Sequence, residues 1–518
     1  LSLEPQGLQN SVIDSITDCP SAIESPVSDT RRNLKIFIPG KFCYTNAIEK
    51  SLVICYDGKR NISKERIYLT IRGSLAINIG KIAQWGLQTF TKGGTSLPGK
   101  LAVKLDPDVL QHLSENFDVV IITGTNGKTL TTSLTYHVLQ QKYPHILTNP
   151  TGANMEQGII SSFLEGYSRK VKKERAFAVL EVDEASLVKV TKFIKPKVIV
   201  NTNVFRDQMD RFGEIYTIYQ KMVDGAALAP DAVILANGDS PIFNSKELVN
   251  KQIYFGFNHE PDGDTLAHYN TDGVLCPKCQ HILRYKFNTY SNLGKYYCPH
   301  CDFKRPELTY AVTKVDKLTH KSSSFEIDGH PFQTNVAGLY NVYNALAAYS
   351  VGKHFGLTPE EIQAGFSAAQ QKFGRQETIT VNDKEIILNL IKNPVGLNQV
   401  IDLLHYEEEP FSVVSILNDR PADGTDVSWI WDGNYEKFLD FDIPKVTVSG
   451  IRQKELTLRM KVAGIPEDKL EVVPEISDVI KTFKNAPTKK IYVMATYTAV
   501  LQLRKELANQ GYIAERMK

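Results

Sequence analysis

Along this chain of 518 residues, short apolar runs of strand length alternate with longer segments of helical spacing. This alternation occurs in two regions, each of which reads as α/β. In the first region, short apolar runs of strand length are followed by longer segments with apolar residues at helical spacing. The predicted strands are 119–123, 176–182, 197–202, 231–236 and 251–257, and the predicted helices are 128–141, 214–228, 341–355 and 359–372. This alternation favours a doubly wound parallel sheet with crossover helices.

A second alternation of strands and helices begins near Lys384. Its predicted strands are 384–391, 411–417, 445–449 and 491–495, and its last predicted helix is Tyr497–Leu507. Residues 258–337 separate the two regions with short, turn-rich segments. The fold class we expect is therefore α/β, with a doubly wound parallel-sheet domain and a smaller, Rossmann-like C-terminal domain.

The first 68 residues have weak periodicity and begin with a segment rich in Ser, Pro and Asn. The chain starts at Leu1 and its first methionine is Met155. We expect residues 1–68 to be a poorly ordered extension or to lie outside the natural product. The alternative is a small accessory domain with strands at Lys35–Ile38 and Ser51–Tyr56.

The expected domains are then the extension 1–68, a central domain 69–380 and a C-terminal domain 381–518. Within the central domain, residues 70–118 are expected to be mixed helix and loop. Apolar residues from Leu75 to Leu87 predict one amphipathic helix there.

Composition excludes several classes of protein. The chain is 42% hydrophobic and 23% charged, with a net charge of +2, so bulk electrostatics does not favour a polyanionic partner. The sequence shows neither a signal peptide nor an apolar run of membrane-spanning length. The seven cysteines are unevenly placed, three within the first 55 residues and four in a separate cluster. This usage is typical of a cytoplasmic protein with a metal site.

The segment with the strongest chemical signal is Ile121-Ile-Thr-Gly-Thr-Asn-Gly-Lys-Thr-Leu130. An apolar strand leads into a Gly-rich turn and then a helix, the arrangement that binds a nucleotide phosphate. We expect a phosphate cradle in which Lys128 contacts the β/γ-phosphates and the Thr129 hydroxyl holds Mg²⁺. The expected cradle residues are Gly124, Thr125, Asn126, Gly127, Lys128 and Thr129.

Two CxxC pairs predict a zinc ribbon at about residues 270–306. Cys276 and Cys279 form the first pair, and Cys298 and Cys301 form the second. Four thiolates complete a tetrahedral Zn²⁺ shell without an open position, so the site is expected to be structural. Basic and aromatic residues between the pairs are compatible with nucleic-acid binding, but packed and solvated hairpin faces explain them more simply.

A carboxylate at the end of a neighbouring strand completes the expected magnesium site. The sequence Ala178-Val-Leu-Glu-Val-Asp-Glu184 supplies it, and Glu181 is the first choice over Glu184. A polar loop, Asn201 to Gly213, follows the next strand, where sites form in open α/β sheets.

These motifs together resemble the Mur ligase superfamily of ATP-dependent amino-acid ligases, over about residues 70–518. The matching segments are GTNGKT, TN…DQMDRFG, Asn237-Gly-Asp-Ser, Gly338-Leu-Tyr-Asn-Val-Tyr-Asn-Ala345 and Phe373-Gly-Arg-Gln-Glu377. The resemblance implies ATP and Mg²⁺ as cofactors. It also implies that Asn203, Asn237, Asn341 and Arg375 lie on the nucleotide side.

The chain departs from that family in three ways. Gln208 and Tyr340 stand where histidines are usual, which puts a second metal in doubt. A carbamylated lysine cannot be placed, since Lys221 matches poorly. The segment before the ATP loop is too short for a UDP-sugar-binding domain.

With these departures and the inserted ribbon, the chain resembles one branch of the superfamily, the ligase-like subunits of lipid II isoglutaminyl synthase. The segments Lys392-Asn-Pro-Val-Gly396 and Leu417 to Asp432 support this likeness. The second segment carries two of the three tryptophans, and its residues fit a partner interface and a core anchor equally well. The resemblance implies amidation of the D-glutamate α-carboxylate of lipid II through an acyl phosphate, at the inner face of the membrane.

Glutaminase chemistry requires a Cys nucleophile, and this chain has none to spare. Four cysteines are assigned to zinc, and Cys19, Cys43 and Cys55 lie in the uncertain extension. We therefore expect a heterodimer in which a partner releases ammonia from glutamine. The resemblance implies a GatD-like partner whose catalytic triad is completed by Asp426, preferred over Asp423. Lys128, Glu181 and Asp426 are then the expected catalytic residues.

Two alternatives remain open. An amino-acid-adding Mur ligase or a folylpolyglutamate synthase-like ligase would need the carbamylated lysine and the full N-terminal domain. A nucleotide-gated nucleic-acid-binding module is disfavoured by the low net charge and the ordered ATP motifs.

Overall fold

The computed structural model describes residues 34–38, 41–45, 53–57, 71–90, 96–149, 153–167, 176–207, 214–258, 265–267, 273–369 and 375–514. The chain divides into two compact units, Leu1–Ser74 and Leu75–Lys518. The first contains an antiparallel sheet of β1 (Leu34–Ile38), β2 (Lys41–Thr45) and β3 (Val53–Asp57). Strands thus occur at both positions named for an accessory domain, and the rest of 1–68 lies outside the described residues.

The central part of the second unit contains eleven described strands. They are β4 (Phe117–Thr123), β5 (Ile146–Thr148), β6 (Ala176–Glu181), β7 (Val198–Asn201), β8 (Val233–Asn237), β9 (Gln252–Phe257), β10 (Arg284–Tyr290), β11 (Leu293–Tyr297), β12 (Tyr310–Leu318), β13 (Ser323–Ile327) and β14 (His330–Thr334).

Nine of these strands form one sheet in the order β14-β13-β12-β9-β8-β7-β4-β6-β5. Neighbours from β12 to β5 are parallel, and β13 and β14 add an antiparallel edge. Chain order reverses on the two sides of β4, because β5 and β6 lie on one side and β7 to β9 on the other. Such a reversal opens a crevice at the carboxyl ends of the strands, where ligands bind in α/β folds.

Helices cover this sheet and precede it. They are α1 (Ile71–Phe90), α2 (Leu97–Leu105), α3 (Val109–Ser114), α4 (Lys128–Gln140), α5 (Glu156–Gly166), α6 (Leu187–Phe193), α7 (Ile215–Ala227), α8 (Leu339–His354) and α9 (Pro359–Ala368). Residues 119–122 are apolar without alternation because β4 is buried on both faces. Leu130, Leu134 and Val138 of α4 pack on one face of the sheet with α8.

A second sheet has the order β15-β16-β20-β17-β18-β19 and is parallel from β16 to β19. Its strands are β15 (Arg375–Val381), β16 (Lys384–Leu390), β17 (Phe411–Ile416), β18 (Val446–Ser449), β19 (Leu470–Val473) and β20 (Lys490–Ala495). Its helices are α10 (Pro394–Leu403), α11 (Gln453–Val462), α12 (Ile476–Lys484) and α13 (Tyr497–Asn509). Separate apolar clusters cover its two faces.

The structure contains helices and strands beyond those predicted, in segments where the run of apolar residues is short. The described parts of residues 70–118 contain three helices, and the helix predicted at Leu75–Leu87 extends from Ile71 to Phe90. The edge strands β15 and β19 were not predicted, because their exposed sides interrupt the apolar pattern. The predicted helix 359–372 is helical as far as Ala368. No helix in the described part of the chain is long and apolar enough to cross a membrane.

Candidate functional site

The phosphate loop lies between β4 and α4, at the reversal point of the sheet. Gly124 has φ +130° and Gly127 has φ +84°, a left-handed region that favours glycine. A Cβ on Gly127 would lie 2.1 Å from Asn344 Oδ1, and a Cβ on Gly124 would lie 2.3 Å from Thr202 Oγ1. No described side chain caps the first turn of α4. Its N–H groups therefore remain available to an anion, which fits a nucleotide phosphate.

The segment after β7 holds the loop in shape. Thr125 N–H donates to the Asn203 carbonyl at 2.9 Å, and Asn126 N–H donates to Asn203 Oδ1 at 2.8 Å. Asn203 Nδ2 donates back to the Asn126 carbonyl at 3.0 Å. Asn203 therefore acts on the backbone of the loop, which positions the phosphate cradle.

Lys128 lies inside this cradle and is paired with Glu184. Its ammonium donates to the Gly124 carbonyl and forms a 3.1 Å ion pair with Glu184 Oε2, with both side chains almost fully buried. Burial alone would lower the pKa of Lys128, but attraction to Glu184, Asp183 and Glu181 outweighs it and raises the pKa. Lys128 is therefore a fixed cation held at the loop.

The acidic residues at the end of β6 and in the turn after it carry more negative charge than Lys128 alone neutralises. Glu181 and Glu184 are buried, and Asp183 is half-buried beside them. Burial and the charge of Glu184 raise the pKa of Asp183. Burial would also raise the pKa of Glu184, but Lys128 and Lys392 outweigh it and lower that pKa. Carboxylate oxygens with an excess of negative charge fit a Mg²⁺ ion. The expected hydroxyl ligand, Thr129, is half-buried in the first turn of α4.

Glu181 and Glu184 are held differently. Glu181 Oε1 accepts from Asn154 Nδ2 at 3.3 Å, and its main chain pairs with the Asn149 amide. The first-choice carboxylate thus faces the segment before α5, whereas the second choice, Glu184, contacts Lys128. The strand-end position of both residues was visible in the sequence, but their different partners were not.

Asparagines on α8 contact the other side of the loop. Asn344 accepts from Thr131 Oγ1 at 3.2 Å and donates to Asn341 Oδ1 at 3.1 Å. Asn341 Nδ2 donates to the Ala337 carbonyl. Asn237 lies at the end of β8 and donates to the Thr202 carbonyl at 3.1 Å. Asn344 therefore contacts α4 directly, whereas Asn341 acts through Asn344, and Asn237 acts through Thr202, whose hydroxyl donates to the Asn126 carbonyl of the loop.

The C-terminal domain adds residues to the same site. Lys392 forms an ion pair with the buried Asp207, and Arg206 pairs with Asp432. The side-chain amides of Asn393 and Asn126 exchange hydrogen bonds at 3.1 and 3.3 Å. Asn393 also caps α10 by accepting from Gly396 N–H at 2.8 Å. The C-terminal domain therefore places the cation of Lys392 and the capped start of α10 next to the phosphate loop.

The two aspartates considered for the partner's triad occupy different environments. Asp423 is buried and accepts from Thr498 N–H at 2.6 Å, so it fastens the loop to the start of α13. Asp426 is exposed and accepts from Ser428 N–H at 2.8 Å, and this hydrogen bond lowers its pKa. Nearby, Trp429 packs on the core, while Trp431 is exposed with Arg459 over its ring.

The four cysteines of the ribbon lie together, with their sulfurs within 4.8 Å of one another. The pair Cys276–Cys301 is separated by 3.5 Å and Cys279–Cys298 by 3.4 Å. A tetrahedral metal–thiolate shell has sulfurs about 3.8 Å apart, so the cluster fits a metal such as Zn²⁺. Tyr285 and Tyr296 of the hairpin are buried, which removes them from a nucleic-acid-binding surface.

Several sequence expectations stay predictions. Gln208 and the side chain of Arg375 lie outside the described part of the structure. Lys221 is half-buried on α7. Sequence reasoning assigned no role to Lys392 and Asn393, although it noted their segment, because their contacts depend on how the second sheet docks. Arg305, also unforeseen, joins the ribbon to the buried Asp239 at 2.9 Å.

Comparison with known proteins gives concordant matches. The model of the Mur ligase middle domain matches residues 122–352, and that of the MurT ligase C-terminal domain matches residues 390–500. The chain is 45% identical, over 87% of its length and 100% of the relative, to the MurT subunit of a glutamine-hydrolysing lipid II isoglutaminyl synthase from Streptococcus pneumoniae. It is 35% identical to the corresponding Staphylococcus aureus subunit, over 83% of this chain and 97% of that one.

Solved structures support the fold. A pseudomurein peptide ligase type C from Methanothermus fervidus superposes with a TM-score of 0.58 at 19% identity, covering 82% of this chain and 85% of that one. The expected α/β fold with two parallel-sheet domains is therefore confirmed.

Proposed function

The chain belongs to the MurT family of Mur ligase-like subunits, and from this membership we propose that it is the amidating subunit of a lipid II isoglutaminyl synthase. Its substrate is the α-carboxylate of D-glutamate in lipid II, and its product is D-isoglutamine. The observation that carries the proposal is the phosphate loop, in which buried Lys128 faces a cluster of strand-end carboxylates. That arrangement suits phosphoryl transfer to a carboxylate.

A carboxylate must be activated before ammonia can attack it, because its negative charge repels a nucleophile and oxide is a poor leaving group. We propose that a substrate carboxylate oxygen attacks the γ-phosphorus of ATP and that ADP leaves with the bond electrons. Ammonia then adds to the carbonyl carbon of the acyl phosphate, loses a proton, and inorganic phosphate departs. Lys128 and the loop N–H groups stabilise the charge on the transferred phosphoryl group.

Mg²⁺ would be held by Thr129 and by the carboxylates after β6, where it would neutralise charge between the phosphates. We keep Glu181 as the principal ligand because its carboxylate is buried at the end of β6 and accepts from Asn154, whereas the ion pair of Lys128 is with Glu184. Glu184 then holds Lys128 in place until nucleotide binds. Asn203, Asn237 and Asn341 support the nucleotide side of the cradle, and we propose Arg375 as a nucleotide contact.

Ammonia comes from a partner, which we propose to be a GatD-type glutaminase subunit. The four cysteines whose side chains the structure describes all lie in the metal cluster, so none of these four is placed as a glutaminase nucleophile. Exposed Asp426 is the better candidate to orient the partner's histidine, since Asp423 is buried under Thr498.

The direct test is incubation of the complex with lipid II, ATP and ammonium, followed by mass spectrometry of the product. We expect the small mass decrease produced when a hydroxyl is replaced by an amide, together with ADP release. Addition of an amino-acid residue instead would assign the chain to the amino-acid-adding ligases.

Lys392→Ala is expected to reduce amidation about a hundredfold with either glutamine or ammonium, because a cation beside the transferred phosphoryl group is lost. The measurements are kcat and KM for ATP, and we expect the loss mainly in kcat. Asp207→Asn removes the same ion pair but leaves the cation, so it is expected to cost much less. Equal losses in both variants would show that Lys392 only fastens the two domains.

We propose that the four cysteines bind one Zn²⁺ that holds the ribbon hairpin together. Cys298→Ser is expected to lose the metal and to lower the melting temperature of the protein, because binding energy at a structural site is folding energy. Metal content by mass spectrometry of protein purified without chelator checks this. Serine replacement at a residue of the same hairpin outside the shell, Thr289→Ser, is the control. Wild-type protein without zinc would refute the site.

A further inference from the structure

A fully buried carboxylate, Asp239, lies in the turn after β8 and takes no part in the proposed chemistry. Three groups from different segments of the chain donate to it. Oδ1 accepts from Arg305 at 2.9 Å, and Oδ2 accepts from the Tyr343 hydroxyl and from Phe257 N–H, each at 2.7 Å. A buried charge is costly unless it is paired and hydrogen-bonded, so Asp239 holds these three segments together.

The ribbon contacts Asp239 through both its side chain and its main chain. Arg305 follows the last cysteine of the ribbon, and its N–H donates to the Tyr296 carbonyl of β11 at 3.0 Å. Its side chain is 7% exposed, and the guanidinium lies over the Phe287 ring of β10. From the same hairpin, Gly294 N–H donates to the Asp239 carbonyl at 3.1 Å. The ribbon is therefore fastened to the turn after β8 at two points.

Tyr343 brings helix α8 to the same carboxylate. Its ring is buried, and its hydroxyl oxygen lies 2.9 Å from Thr289 Oγ1 of the ribbon hairpin. Burial and the charge of Asp239 raise the pKa of Tyr343, so its hydroxyl stays protonated and remains a donor. The next residue of α8, Asn344, occupies the space that a Cβ on Gly127 would need. Tyr343 therefore sets the position of the helix that packs on the phosphate loop.

A second set of hydrogen bonds connects Asp239 to the loop along the end of β8. Asp239 N–H donates to Asn237 Oδ1 at 3.1 Å, and Asn237 Nδ2 donates to the Thr202 carbonyl at 3.1 Å. The Thr202 hydroxyl donates to the Asn126 carbonyl at 3.1 Å. Asn126 and Gly127 are neighbours in the loop, so both connections end at the backbone that would hold the phosphates.

We propose that Arg305, Asp239 and Tyr343 are positioning residues through which the ribbon fixes the phosphate loop in its nucleotide-binding shape. This inference rests on the proposed function, because ATP is the nucleotide that the loop binds there. None of the three residues contacts Lys128 in the described structure, and they act on the loop through its main chain and through α8. Loosening them weakens the hold on the phosphates before the reaction and leaves Lys128 in place. The loss then falls on nucleotide affinity more than on kcat.

The first test is Tyr343→Phe, which removes one hydroxyl and keeps the ring. Calorimetric titration of the full chain with ADP and Mg²⁺ is expected to show a dissociation constant raised about tenfold, because a hydrogen bond to a buried charge is lost. In the complex with its partner, KM for ATP is expected to rise by the same factor, while kcat stays close to the wild-type value.

The matched control is Tyr349→Phe on the same helix. Tyr349 is also buried, but its hydroxyl bonds to Asp328 in the turn between β13 and β14. This variant also loses a buried hydrogen bond, so it is expected to lower the melting temperature while binding ADP as wild type does. Comparison of the two tyrosines separates positioning of the loop from stability of the helix.

The second test concerns the ribbon side of the carboxylate. Arg305→Gln is expected to raise the dissociation constant for ADP at least about tenfold, because Asp239 loses its countercharge. Arg305→Lys keeps the charge and is expected to restore most of the affinity. Asp239→Asn with Arg305→Gln avoids an unpaired buried charge and is expected to bind ADP as weakly as Arg305→Gln. Lys304→Gln, an exposed neighbour in the ribbon, is the control and is expected to bind normally.

Wild-type ADP affinity in both Tyr343→Phe and Arg305→Gln would overturn the proposal. So would equal losses of affinity in Tyr343→Phe and Tyr349→Phe, because affinity would then follow the stability of α8 in general. Wild-type protein that binds ADP but does not amidate lipid II would count against the proposed function and not against positioning by the ribbon. Variants with unchanged affinity beside an amidating wild type would count against the positioning alone.

Discussion

Lys128→Ala is expected to abolish amidation, by about a thousandfold or more, even when ammonium replaces glutamine. Lys128 is the one described cation inside the phosphate loop, where it contacts the Gly124 carbonyl and Glu184. Without it, charge on the migrating phosphoryl group is stabilised by backbone N–H groups alone. The measurement is ADP release coupled to product formation under saturating ammonium.

The variant also leaves Glu184 buried without its partner, so stability must be followed separately. Lys128→Ala with Glu184→Gln removes both charges and is expected to fold well while remaining inactive. Lys505→Ala, on the exposed side of α13, is the control and is expected to be fully active. Activity of the double variant within tenfold of wild type would contradict the assignment of Lys128.

Asp426→Asn is expected to abolish glutamine-dependent amidation, by about a thousandfold or more, and to leave ammonium-dependent amidation near the wild-type level. The reason is that an amide cannot stabilise the charged histidine of the partner's triad as a carboxylate does. Asp426 is exposed and ionised at the protein surface, as a residue acting in another subunit must be.

Each outcome for Asp426 is informative because the two nitrogen sources are compared in one complex. Asp440→Asn, an exposed aspartate of the same domain, is the control. Co-purification of the partner with the Asp426 variant shows that the interface is intact. Wild-type use of glutamine by Asp426→Asn would refute the role, and equal loss with both nitrogen sources would assign the residue to assembly.

The phosphate loop and the cysteine cluster were predictable because each is specified by adjacent residues. In the loop, Gly124 and Gly127 have the backbone angles that only glycine adopts easily, and a strand and a helix flank them. In the ribbon, the two CxxC turns bring four sulfurs together. Local sequence therefore determined both geometries.

Contacts between domains were not predictable from the sequence. Lys392 and Asn393 lie more than 180 residues from their partners Asp207 and Asn126. Their encounter depends on the docking of the second sheet, which no periodicity encodes. The same applies to Glu184, whose pairing with Lys128 is set by the turn after β6.

The central claim is that this chain activates a carboxylate by phosphorylation, and an oxygen-isotope measurement tests it most directly. Lipid II carrying ¹⁸O in the D-glutamate α-carboxylate is incubated with the complex, ATP and glutamine. If an acyl phosphate forms, a carboxylate oxygen leaves with the phosphoryl group, so inorganic phosphate acquires ¹⁸O as amide is formed. Amide formation with unlabelled phosphate, or with label in AMP, would contradict the account.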